Sequence, residues 1–418
     1  MAVVHWSARR RAMSVWLPLA MLVGVTPIIW KLVSAAFCPL DWLLACWCVW
    51  TGFVYRRLAF CGINLAAVLF VLGGAEALLS AKRPGVATTT SLDGPGLPYQ
   101  QRDDLLGARP RPGSRTHYEL RDRGQVLIDT VYTIDEHGLR AIPGHAPPDA
   151  APTVVFFGCS FTYGEGVLDH ETLPAQVARQ RPDLRVFNFG FSGYGPHQML
   201  ANLESERVET ICGSSPRVVI YQMIPSHVRR VTGWVPFQKH GPRYLLRGGR
   251  VERAGNLDDS RWLPLVQKIL WKSRVYHHLV SPLLITEAEI QLTVAILDQA
   301  RREVSQRFPG ASFHVLLWTR SDTPYAGRVR AALEETDLKL HLVTEQIPEL
   351  RTRTPEYFIP GDGHPNGRAY SRLAEMVCEE IVRPVLDGTG EARAGQQEDG
   401  SGSSRLDGDS PAGPPDRR

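Results

Sequence analysis

From Thr153 onward the chain alternates short apolar runs with amphipathic stretches, and few folds accept that alternation. "TVVFFG" (153–158) is continuously apolar, as a strand covered on both faces must be. "ETLPAQVARQ" (171–180) reads as a helix, "RVFNFG" (185–190) as a strand and "PHQMLANLESERVETI" (196–211) as a helix. "RVVIYQMI" (217–224) is a third strand, followed by an insertion over 229–284 that carries Trp234, Trp262 and Trp271. "EAEIQLTVAILDQARREVSQRF" (287–308) returns to helix, "SFHVLLW" (312–318) and "LKLHLV" (338–343) add two strands, and "NGRAYSRLAEMVCEEIVRPVL" (366–386) closes as a helix. Five strands alternating with helices predict an α/β fold, a parallel sheet covered on both faces.

The N-terminal part has a different character. Met13–Trp30, Leu32–Tyr55 and Leu58–Ser80 are long and apolar, each near the roughly 20 residues a membrane-spanning helix needs. A signal peptide accounts for one such stretch, not three. The expectation is about three transmembrane helices in residues 1–80, with the polar Asp41, Asn64 and Glu76 near span ends or facing neighbouring helices. Arg9, Arg10 and Arg11 precede the first stretch and Arg56 and Arg57 separate the second from the third, against Lys31 alone in the other loop. That asymmetry places the N-terminus in the cytoplasm and everything after Ser80 on the periplasmic or extracellular side. Residues 81–125 read as a linker rich in Pro, Gly and Arg. "VLIDTVYTIDEHGLR" (126–140) reads as a strand or hairpin leading into the main domain, 126–386, and residues 387–418 as a disordered tail without aromatic residues.

Composition narrows the chemistry. A net charge of +4 makes no case for nucleic-acid binding. Of seven cysteines, Cys38, Cys46, Cys48 and Cys61 fall in the apolar N-terminal region, which leaves Cys159, Cys212 and Cys378. No CxxC or Cys/His spacing suggests a metal site. There is no Walker A lysine motif and no HExxH, and "GEG" (164–166) lacks the third glycine of a dinucleotide loop, so no cofactor is implied.

Active residues of an open parallel sheet collect at the carboxyl ends of its strands, and Ser160 lies two residues past the first strand. A serine there either caps the next helix or acts as a nucleophile. A nucleophilic serine needs a base. His364, in "PGDGHPNGRAY" (360–370), follows the last strand, and Asp362 is close enough to orient its imidazole. The same loop reads equally as a helix cap through Asn366. The GxSxG elbow does not fit, because Thr162 stands where its second glycine would be. "FNFGFSGYG" (187–195) offers the backbone N–H of Gly193, with that of Ser160, to a developing oxyanion, or is a tight turn that needs glycine.

These blocks resemble the SGNH (GDSL-type) hydrolase superfamily over about residues 126–386. "FFGCSFTYGEGV" looks like the first block, usually GDSFTxGxG; "NFGFSGYG" looks like the second; "DGHPN" looks like the last. "YTIDEHGLR" resembles a stretch that precedes the domain in many membrane-anchored members. The resemblance implies a three-layer, flavodoxin-like sheet with Ser160 as nucleophile, His364 as base, Asp362 as orienter and Gly193 as oxyanion donor. Two departures stand out: Cys159 replaces the GDS aspartate, and the third-block asparagine is missing from "YQMIPSHVRR" (221–230). In the family that asparagine is a side-chain oxyanion donor; counting from the strand puts Ser226 at its position, with a hydroxyl to donate, and His227 next to it, with a ring N–H to donate. The implied activity is hydrolysis of an acyl ester, acetyl above all, on a cell-envelope polysaccharide or lipid. The alternatives are an O-acyltransferase using the same residues and a non-catalytic glycan-binding or assembly protein.

Overall fold

The computed structural model describes residues 59–81, 87–92, 100–122, 124–214, 216–259, 280–319 and 323–387, with isolated positions at 46, 47, 50, 273, 275 and 276. Its centre is a parallel sheet of five strands: β1 (Thr153–Gly158), β2 (Arg185–Asn188), β3 (Pro216–Met223), β4 (Ser312–Leu317) and β5 (Lys339–Leu342). They run in the order β5-β4-β3-β1-β2, so β1 and β3 are enclosed by neighbours on both sides.

Every residue of β1 is buried, because the strand serves two cores at once. Val154 and Phe156 face one layer with Val218, Ile220 and Leu316; Val155 and Phe157 face the other with Val219, Tyr221, Val315 and Leu317. The alternation follows from the period-two geometry of a strand. Burying each such Val, Leu or Phe contributes about 1.5–3 kcal/mol. Helices α1 (Leu173–Gln180) and α2 (Gly367–Met376) cover the first layer. Helices α3 (Pro196–Glu204), α4 (Glu287–Arg307) and α5 (Ala326–Glu334) cover the second.

Two expected helices are interrupted. The 196–211 stretch breaks after Glu204, where Glu206 turns to φ 59° before a second short helix, Arg207–Cys212. The closing stretch begins as α2, passes through a π-helical turn at Val377–Val382 and ends as a single turn at Arg383–Leu386.

Residues 81–125, expected to be a linker, carry strands. Arg115–Asp122 is the central strand of a three-stranded antiparallel sheet, paired with Ala87–Leu92 on one side and Gln125–Thr133 on the other, and Gln100–Asp103 pairs with Gly107–Pro110. Leu106, Tyr118, Leu120, Ile128 and Tyr132 pack on Tyr163, Phe191 and Tyr194 from the loops after β1 and β2. The apolar residues that anchor these strands are too few to read as a core without their partners.

The insertion expected at 229–284 contains a second hairpin, Pro242–Arg247 with Arg250–Asn256. Trp234 donates from Nε1 to Glu289 of α4 at 2.7 Å, while Trp262 and Trp271 lie outside the described residues. So do the tail from residue 388 and nearly all of the first two apolar stretches, Met13–Trp30 and Leu32–Tyr55. The third stretch is a helix, Ala59–Ala81. Among the described residues no helix is long and apolar enough to cross a membrane. Glu76 interrupts the apolar run, and it turns inward: it is buried and accepts a hydrogen bond from the Val275 N–H at 3.2 Å.

Candidate active site

The chain leaves β1 through Gly158 at φ 151°. A Cβ on this residue would stand 2.2 Å from Thr162 Oγ1 and 2.8 Å from the Gln222 carbonyl, so the close approach admits only glycine. One short helical turn follows, Ser160–Tyr163. Cys159 occupies its N-cap position without a side-chain cap, and its carbonyl accepts the Thr162 and Tyr163 N–H groups at 2.9 Å. The Ser160 hydroxyl is therefore not used in capping. It lies 2.8 Å from Nε2 of His364.

His364 reaches Ser160 from a tight loop before α2. The Ile359 N–H donates to the His364 carbonyl at 2.9 Å, and Gly361 and Gly363 take positive φ. Asn366 caps α2, accepting from the Arg368 and Ala369 N–H groups at 3.0 and 3.2 Å. The cap and the histidine thus coexist, the first holding the second at the sheet edge. Nδ1 of His364 is 2.5 Å from Oδ2 of Asp362, whose other bond, 3.3 Å from the His364 N–H, braces the loop. Burial alone pushes the imidazole pKa down. The hydrogen bond that Nδ1–H donates to Asp362, with the charges of Glu165 and Asp362, outweighs burial and the nearby Arg230, and the net shift is upward.

Glu165 and Arg140 belong to the same construction, and sequence reasoning passed over both. Glu165 lies in the loop after the serine helix, where it accepts hydrogen bonds from Tyr118 (3.2 Å) and from the Ser192 hydroxyl. Arg140, the last residue of "YTIDEHGLR", has a completely buried side chain. It donates to the carbonyls of Tyr163 (3.0 Å), Gly164 (2.8 Å) and Val167 (2.7 Å) and to Asp169 Oδ1 (2.8 Å). Asp135 forms the turn that delivers it, accepting the His137 and Leu139 N–H groups at 2.9 and 2.8 Å. The D-x-x-G-x-R spacing was the available signal; its meaning is a buried arginine that threads three carbonyls of the active-site loop.

The oxyanion candidates part company. Gly193 sits in a turn at φ 85°, closed by the Tyr194 N–H donating to Phe191 at 3.0 Å. Among the described residues neither the Gly193 nor the Ser160 N–H has a protein acceptor. Ser226 is half-buried at the N-cap of a short helix, His227–Val231. His227, expected beside it as a ring N–H donor at the sheet edge, is instead inside the core, fully buried. After β3 the chain turns through Ile224–Ser226, and the His227 ring folds back so that Nδ1 shares a 2.6 Å hydrogen bond with the Tyr221 hydroxyl. Burial holds that imidazole's pKa far below its ordinary value. A cavity of about 480 Å³ opens beside Gly193, with Phe191, Tyr194, Arg230 and Phe237 in its wall.

No protein-family model matches the chain, and no curated protein matches it. Solved structures do. A lipolytic protein of the G-D-S-L family from Veillonella parvula is 16% identical at a TM-score of 0.33, over 56% of this chain and 100% of its own. TesA is 18% identical at 0.33, over 56% and 99%. An acetyl xylan esterase from the rumen bacterium Butyrivibrio proteoclasticus is 11% identical at 0.32, over 72% and 84%. The site itself is defined by its own geometry: a serine, a histidine and a carboxylate joined in one hydrogen-bonded line at the carboxyl edge of a parallel sheet.

Proposed function

We propose that this chain is a serine esterase of the SGNH type. The observation that carries the reading is the unbroken line from Ser160 Oγ through His364 to Asp362, 2.8 Å and 2.5 Å in its two links. In that line His364 Nε2 takes the serine proton as Oγ attacks the acyl carbon, and Asp362 holds the tautomer with its proton on Nδ1. The carbonyl oxygen becomes an oxyanion facing the Ser160 and Gly193 N–H groups. Collapse expels the alcohol, which leaves with the proton from the imidazolium. Water then attacks the acyl-enzyme with His364 again as base, and the carboxylic acid departs.

The test is hydrolysis of p-nitrophenyl acetate by the wild type, Ser160→Ala and His364→Ala. Turnover above background that both substitutions abolish is the expected result. Turnover indifferent to both, or none in the wild type, removes the reading.

The acyl ester is assigned to a cell-envelope polysaccharide or lipid, with the N-terminal segment tethering the domain to a membrane and the site on its outer side. The three apolar stretches support this, as do the exposed Phe70, Val71 and Leu78 on the Ala59–Ala81 helix. A reporter fused after residue 90 should be active only outside the cytoplasm; a cytoplasmic signal reverses the topology.

A further inference from the structure

The loop that presents Gly193 is gripped at three consecutive residues, and two of the grips come from the segment that follows β3. The Ser192 hydroxyl donates to Glu165. The Gly193 carbonyl accepts from Nε2 of Gln238. The Tyr194 carbonyl accepts from Nη1 of Arg230 at 2.6 Å. Tyr194 is further tied through its hydroxyl to the Ala108 carbonyl at 2.7 Å. A glycine at φ 85° has no side chain to restrict it, so the direction of its N–H must be set from outside.

Gln238 is itself buried and oriented. Its Oε1 accepts from Gln198 Nε2 at 2.7 Å and lies 3.1 Å from His197 Nε2. Burial keeps His197 neutral at ordinary pH, its pKa lowered to about 3, so its ring is free to donate a single N–H there. With two donors facing its oxygen, the amide can turn only its NH₂ group toward Gly193. The Phe237 ring lies over the same glycine, 3.1 Å from where a Cβ would stand, and closes the remaining side.

We infer that Gln238, assisted by Arg230, is a positioning residue that fixes the Gly193 N–H as an oxyanion donor. The inference rests on the esterase reading and assigns part of the insertion a role in that reaction. Neither residue touches the reacting atoms; both act through the loop backbone.

The experiment compares full-length wild type, Gln238→Glu, Gly193→Ala and the double variant with p-nitrophenyl acetate and with a fluorophosphonate that labels the active serine. Gln238→Glu keeps the oxygen that Gln198 and His197 bond and replaces the donor with a second oxygen facing the Gly193 carbonyl. The expected result is a kcat lowered about 10- to 100-fold, short of the roughly 10²–10³ for outright loss of a donor. KM should stay within about twofold, and fluorophosphonate labelling should slow in parallel with kcat, because both reactions build charge on the same oxygen. Alanine at 193 keeps the N–H, but a Cβ at φ 85° and 3.1 Å from the Phe237 ring displaces it, and in that background Gln238→Glu should cost little further, since it acts through the same N–H. Should Gln238→Glu fail to fold, Arg230→Met reports the same split from a half-buried position. Wild-type kcat and labelling in Gln238→Glu, or independent, multiplying losses in the double variant, would overturn the inference. A wild type that neither turns over nor labels overturns the esterase reading beneath it, and so the two failures are told apart.

Discussion

The guanidinium of Arg140 lies 4.1 Å from the centre of the Tyr132 ring, and the Tyr132 hydroxyl accepts the Gly166 N–H at 2.9 Å. Two residues of the strand-and-turn that precede the central sheet thus fasten the loop from Tyr163 to Val167 from both its carbonyls and its amides. The antiparallel sheet is a buttress for the loop that follows Ser160. Arg140→Ala would strand Asp169 and three carbonyls without their partner, a loss of roughly 3–5 kcal/mol for a buried charge pair broken on one side. Arg140→Lys should recover only part of it, because a single ammonium cannot match the planar fork. Thermal unfolding of both variants measures the difference; equal stability of Arg140→Ala and wild type would refute the buttress.

Asp362 holds the Nδ1 side of His364 at 2.5 Å. Asp362→Asn preserves shape and presents an amide that can favour the wrong tautomer. A fall in kcat of roughly 10³–10⁴ is expected, with KM little changed. A loss under tenfold would mean that another group orients the ring.

The pH profile follows from the sign of the His364 shift. The imidazole must be neutral to accept the serine proton, and its pKa lies above the ordinary 6.5. Esterase activity should therefore rise with pH through a midpoint above that value. Glu165 is one of the charges that hold the pKa up, so Glu165→Gln should move the acid limb toward lower pH. An unmoved limb would show that the Glu165 charge is not felt at the imidazole.

Cys159 adjoins Ser160 yet is fully buried, as are Cys212 and, nearly so, Cys378. Burial pushes the Cys212 thiol far up and the Cys378 thiol to about 11. Iodoacetamide should leave esterase activity intact at pH 8 while a serine-directed fluorophosphonate abolishes it. Rapid inactivation by iodoacetamide would instead point to a reactive thiol at the site.

What the sequence made legible follows the reach of each interaction. The strands of the central sheet were readable because β1 and β3 are buried along most of their length and so continuously apolar. Ser160, Asp362 and His364 stand in short blocks whose spacing carries their chemistry. His227 was misplaced because counting along a strand does not say which way the chain turns after Met223. Arg140, Glu165, Arg230 and Gln238 escaped notice because their partners are distant in sequence: Gln238 meets Gly193 across 45 positions, and Glu165 meets Tyr118 across 47. The strands in 81–125 escaped because they are short and polar, and their few apolar residues make sense only against Phe191 and Tyr194.

Ser160 and His364 are 204 positions apart. During synthesis the serine emerges long before its base, and a nascent chain carries a hydroxyl with nothing to activate it. The pair needs the loop at 359–366 in place against the edge of the sheet. The Ser160–His364 pair therefore cannot exist until almost the whole domain has been made, wherever in the cell that takes place.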